Sequence, residues 1–92
     1  MPTKTKEPRR ILRRQYLINY RFVANLTQEK VAEGIGVALP TYNAIENGKQ
    51  GNLMNAPKLV ALAAILNVKL DELCAQEIAY LDKLNSLNKK EE

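Results

Sequence analysis

The residues of this chain that could do chemistry are mostly cations, and they crowd its first quarter. Lys4, Lys6, Arg9, Arg10, Arg13, Arg14 and Arg21 stand against Glu7 alone, a local charge of +6, whereas residues 22–92 carry −2. Cations gathered in this way suit a polyanionic partner, nucleic acid before membrane. Catalytic groups are in short supply. There is no histidine, and Cys74 has no second thiol, so imidazole acid–base chemistry, an internal disulfide and a Cys/His zinc site are all excluded. Glu33, Glu46, Asp71 and Glu72 form no paired-carboxylate pattern, and no nucleophile–base set or glycine-rich phosphate loop accompanies them. The expectation is a protein that is not an enzyme and needs no cofactor or metal. No run of about 18 apolar residues exists to span a bilayer, and the basic N-terminus lacks the apolar core of a signal peptide. A cytoplasmic location follows as an expectation.

The elements that must position these residues read as helices. Ninety-two residues suit one domain, with an aliphatic core, since only five residues are aromatic. Residues 1–7 read as a flexible basic arm. Pro8 suits a first helical turn, and the spacing predicts a helix from Arg9 to Ala24. Leu12, Tyr16, Tyr20 and Val23 form one apolar stripe, broadened by Leu17 and Ala24. Ile11, Ile18 and Phe22 form a second on nearly the opposite face, so this helix should be sandwiched. Thr27 is placed to cap a second helix over about Gln28–Glu33, which Gly34 and Gly36 should end. A third runs over about Leu39–Asn47, stopped by Gly48. Asn55 can cap a fourth, whose Leu59–Leu66 run is apolar almost all round and therefore central. Asn67 should end it. A fifth starts near Leu70 or Asp71 and continues to Leu87, with Leu73, Ile78, Leu81, Leu84 and Leu87 as its apolar set. With no strand signal the fold class is all-α.

The segment from Leu26 to Val37 (LTQEKVAEGIGV), the Ile45-Glu46-Asn47-Gly48 ending and the later Leu66-Asn67-Val68-Lys69-Leu70-Asp71-Glu72-Leu73 occur in an order that resembles one family. It is the Cro/C1-type (XRE) helix-turn-helix family of phage repressors and bacterial transcriptional regulators, and the likeness spans about residues 11–75. The resemblance implies a five-helix, lambda-repressor-like DNA-binding domain over residues 8–75, with 76–92 as a C-terminal helical extension and frayed tail. It also implies a sequence-specific regulator of transcription, a repressor, with double-stranded DNA as partner and a second copy of the chain beside it. Physical reasoning agrees with that scheme. Two short helices around a glycine turn leave the second free to enter a major groove about 12 Å wide.

Residue by residue, the resemblance assigns Gln28, at the second helix's positive N-terminus, to a phosphate. Asn47 and Lys49 in the exit loop receive the same role, joined by Arg9, Arg10, Arg13 and Arg14 from the basic arm. Arg21 and Glu46 match a structural ion pair that fixes the third helix against the first. By family register Leu39, Pro40, Thr41, Asn43 and Ala44 point at bases, while Tyr42 and Ile45 point inward. The third helix departs from the family in having no Arg or Lys for guanine. Asn43 suits adenine, and its apolar neighbours suit thymine methyls, so the expected site leans to A·T. The family needs its fifth helix only to about Ala75. The amphipathic continuation through 76–88 therefore suits pairing with a second copy, packing on the Ile11/Ile18/Phe22 stripe, or a protein partner. An antitoxin or coactivator built on this scaffold is the alternative function; a membrane partner is not expected.

Overall fold

Each helix begins and ends where the sequence can satisfy otherwise orphaned backbone groups. The computed structural model describes residues 11–49 and 54–88, which form α1 (Gln15–Val23), α2 (Gln28–Ile35), α3 (Leu39–Asn47), α4 (Ala56–Leu66) and α5 (Leu70–Asn88). The Thr27 hydroxyl accepts from the Lys30 N–H at 3.1 Å and caps α2. Asn55 does the same for α4 through the Lys58 N–H at 3.0 Å. Left-handed residues at Gly36, Gly48 and Asn67 turn the chain out of α2, α3 and α4.

The core joins the faces these helices share. Leu17 from α1, Val31 and Ala32 from α2, Tyr42 and Ile45 from α3, Leu62, Ala63 and Leu66 from α4, and Leu73 from α5 form one buried cluster. α2 packs on both α3 and α4, while α4 supports α5. Among the described residues there is no strand, and no helix is long and apolar enough to cross a membrane.

Three expectations need correction. The first helix starts at Gln15, not Arg9: within the described residues, 11–14 run as non-helical chain, and Arg14 has φ −82° and ψ 74°. Its backbone is held by other partners, as the Arg14 N–H donates to the Glu46 carbonyl at 2.8 Å and the Leu12 carbonyl accepts from the Tyr80 hydroxyl at 2.8 Å. The part of that helix placed before Ile11 lies outside the described residues. Nor is α1 sandwiched, for Ile11 and Phe22 are exposed and Val23 is 86% exposed. Lastly, Gly34 does not end α2. A Cβ there would sit 2.8 Å from Cδ1 of Ile65, so this glycine admits α4 rather than breaking the helix.

α5 runs unbroken through residues 75 and 76. Its inward face is Leu73, Glu77 and Tyr80, whereas Ile78 and Leu87 are exposed. The spacing of Leu73, Glu77, Tyr80 and Leu84 is itself helical, so an acid stands in the middle of the buried stripe.

Gly36 and Gly48 have nearly the same backbone, with φ of +76° and +70°, but different surroundings. Nothing lies within 4 Å of a Cβ built on Gly36, while one built on Gly48 would overlap the Leu12 carbonyl and stand 2.8 Å from the Tyr80 hydroxyl. Gly36→Ala should therefore cost about 1 kcal/mol, the penalty of the left-handed conformation alone. Gly48→Ala should cost about 3 kcal/mol or more, because the approach of the N-terminal segment and α5 must also give way. Urea titrations of the two variants check the difference; equal losses would contradict it.

Candidate nucleic-acid interface

The candidate interface grows from one carboxylate. Glu46 lies in the last turn of α3, where the helix turns inward, and is 1% exposed. Arg21 from α1 meets it in a two-armed pair, Nε to Oε2 at 2.6 Å and Nη2 to Oε1 at 3.2 Å. The third guanidinium nitrogen donates to the Leu26 carbonyl at 3.1 Å, so Arg21 ties α1, the connection into α2, and α3 together. Burial opposes the charge on Glu46, but its hydrogen bonds from Arg21 and Gln28, with the Arg21 charge, outweigh that and hold the carboxyl below its ordinary pKa.

From Glu46 a line of side-chain amides leads outward. Gln28 Nε2 donates to Glu46 Oε1 at 2.8 Å, Asn43 Nδ2 donates to Gln28 Oε1 at 3.2 Å, and Asn47 Nδ2 donates to Asn43 Oδ1 at 3.1 Å. The direction of the line has a single cause. An ionised carboxylate only accepts, so Gln28 must turn its NH2 toward Glu46. That leaves the Gln28 oxygen for Asn43, whose own oxygen then faces Asn47. A face that amides could present either way round is thereby given one pattern of donors and acceptors.

The consequence for Asn43 can be counted. An amide has two N–H donors and two acceptor lone pairs. Its two internal bonds consume one of each, leaving one donor and one acceptor, the two kinds of group that adenine recognition calls for in the major groove. Gln28, Asn43, Ala44 and Asn47 are half-buried, while Leu39, Pro40 and Thr41 are exposed at the start of α3. Leu39 also borders an open cleft with Phe22, Leu26 and Thr27, so the apolar start of α3 continues onto the end of α1.

Among the cations expected at phosphates, Arg13 and Lys49 are exposed. Arg9 and Arg10 lie outside the described residues. Arg14 is a correction. It is 2% exposed and paired with Glu77, Nε to Oε1 at 3.0 Å and Nη2 to Oε2 at 2.9 Å, so it cannot reach a phosphate. Its remaining nitrogen donates to the Ile45 carbonyl at 2.9 Å, and its guanidinium lies 4.5 Å from the Tyr80 ring centre. Of the Ile11/Ile18/Phe22 stripe, Ile11 and Phe22 stay exposed; Glu77 and Tyr80, in the middle of α5, meet Leu12, Arg14 and Tyr16 instead. Glu77 was missed because a charge inside an amphipathic helix reads as its solvated face, and Tyr80 because the apolar set drawn for this helix, with Ile78 and Leu81, passed it by. The signal that marks them is the spacing from Leu73. Among the described residues no group of acids and Cys74 is placed to hold a metal ion.

The helix-turn-helix family model matches residues 24–73. A transcriptional repressor, RstR of the cryptic phage CTXphi from Vibrio cholerae serotype O1, is 32% identical over 87 residues, taking in 86% of this chain and 76% of that protein. No solved structure matches the chain.

Removing the Glu46 carboxylate leaves Arg21 partly buried without its counter-charge. Glu46→Ala should lower stability by about 3 kcal/mol, read as a fall in melting temperature; an unchanged melting temperature would sink the role given to the pair. The pH dependence has a definite sign. Because the folded pKa of Glu46 is depressed, its contribution is present above the ordinary value of 4.5 and is lost as pH falls through the lower folded value. Melting curves from about pH 6 to about pH 3 should show the wild type losing stability at the acid end, with a smaller loss in Glu46→Gln.

Proposed function

Because the chain belongs to the Cro/C1-type helix-turn-helix family, we propose that it is a sequence-specific DNA-binding transcriptional repressor that lays α3 in the major groove. The observation that carries this reading is the line of amides fixed in direction by Glu46 and running from the start of α2 to the middle and end of α3. Gln28, at the N-terminus of α2, and Asn47 and Lys49, at the exit of α3, bracket the DNA backbone. Each offers neutral or positive donors to phosphate. Arg13, with Arg9 and Arg10 before it, adds charge along the flanking duplex. Leu39, Pro40, Thr41, Asn43 and Ala44 face bases.

With no Arg or Lys among those base-facing residues, direct readout is limited to an adenine at Asn43 and to thymine methyls beside the apolar side chains. One such helix discriminates weakly, so two copies of the chain bind a two-fold site. The exposed Ile78 on α5 is available to the contact between copies.

Selection from a random duplex library should return an A·T-leaning, two-fold symmetric consensus, and light scattering of the complex should give two chains per duplex. A G·C-rich consensus would overturn the assignment of α3. Asn43→Ala should relax the consensus at one position in each half-site, at a cost of about 1–3 kcal/mol in operator binding. Arg13→Ala should weaken binding to all duplexes alike and reduce the slope of log affinity against log salt by about one per half-site.

A further inference from the structure

α3 is gripped twice at its C-terminal end, by two arginines with different targets. Arg21 takes the side chain of Glu46; Arg14 takes the main chain beside it, at the Ile45 carbonyl. Arg14 does not act from its own backbone alone. Its other two nitrogens are locked onto both oxygens of Glu77 on α5, its ring contact is Tyr80, and Tyr16 also donates to Glu77. Tyr80 in turn holds the Leu12 carbonyl, the group against which Gly48 closes the end of α3. The N-terminal segment is therefore pressed between α3 and α5. Every side chain of this clamp (Arg14, Tyr16, Glu77 and Tyr80) lies outside residues 24–73, the stretch that matches the family.

We propose that Arg14 and Glu77 are positioning residues for DNA readout: through them the part of α5 beyond residue 73 sets the pose of α3 within each chain. This inference rests on α3 being the reading helix. A planar guanidinium suits the task, because it satisfies a carboxylate with two arms while the third holds a carbonyl at a fixed angle. A positive charge at the last turn of α3 is also favoured by that helix's dipole. The extension thereby acts inside the chain, whatever α5 also does between copies.

The test must separate pose from stability. Arg14→Met, Tyr16→Phe and Glu77→Leu made together replace the buried polar set by apolar groups of similar size, a change that is often neutral or stabilising. The Ile45 carbonyl is not stranded, since it also accepts from the Gly48 N–H at 3.2 Å. The probes are a duplex selected by the wild-type chain and a scrambled duplex of the same composition, at a temperature where both proteins are folded. The expected result is a near-native melting temperature, unchanged affinity and salt slope for the scrambled duplex, and discrimination between the two probes reduced about tenfold. A merely structural role would move the melting temperature and leave the ratio of affinities alone; that outcome overturns the proposal. If the triple variant does not fold, Arg14→Lys decides instead. Lysine can keep a charge against Glu77 but cannot also hold the Ile45 carbonyl, so discrimination should again fall, and native discrimination would overturn the proposal. A wild-type chain that selects no duplex overturns the repressor reading and this inference together. One that selects a duplex which the variants read equally well overturns the inference alone.

Discussion

A buried carboxylate that can only accept hydrogen bonds organises the interface side of this molecule. Glu46 stays ionised because Arg21 supplies two donors and a charge where burial would otherwise favour the neutral acid. Its ionisation then dictates the orientation of Gln28, through Gln28 that of Asn43, and through Asn43 that of Asn47. Amides have no intrinsic reason to face one way. Here an acceptor at one end of the line removes the choice for the three residues that follow. The same carboxylate, through Arg21 and the Leu26 carbonyl, holds α1 against the motif, so orientation and chemistry share one cause.

The N-terminal charge, by contrast, divides into two kinds once the chain is folded. Of the seven cations in the first 21 residues, Arg14 and Arg21 are spent on internal acids, Glu77 and Glu46. Composition cannot tell these from Arg13, which is exposed. The distinction lies in geometry: Arg13 and Arg14 are neighbours in non-helical chain that turns at Arg14, where the Gln15 N–H donates to the Arg13 carbonyl. One meets solvent and the other meets α5. A charge count therefore overstated the electrostatic reach of this region while missing its structural use.

How much was legible follows the same line. The caps Thr27 and Asn55 and the left-handed Gly36, Gly48 and Asn67 were readable because each depends on a few neighbours in sequence, whereas the inward Tyr42 and Ile45 came from the family register. What could not be read depends on partners 60 or more positions away, as with Arg14 and Glu77, or Tyr80 and Leu12. Apolar periodicity also misplaced the start of α1, since Ile11 and Leu12 fit a helix well. A backbone carbonyl and N–H committed to Tyr80 and Glu46 outweighed that local preference. Gly34 failed as a stop signal for a related reason, because its missing Cβ answers to Ile65 on another helix.

On the proposed reading, these observations give an α3 poor in polar readers a route to specificity. A flexible, correctly typed side chain loses part of its binding energy to being ordered on contact. Asn43 has little left to order: its amide is fixed on both sides before any ligand arrives, and the two hydrogen-bonding sites that remain are set by Glu46. The helix bearing it is held at its C-terminal end by the Arg21 side-chain pair and by the Arg14 main-chain contact. Fewer reading groups held more rigidly are a physically sound alternative to many mobile ones. The cost is that α3 is tied to distant parts of the chain, through Arg14 to Glu77 on α5. Under the proposal made above, changes at α5 would then alter what α3 presents to DNA.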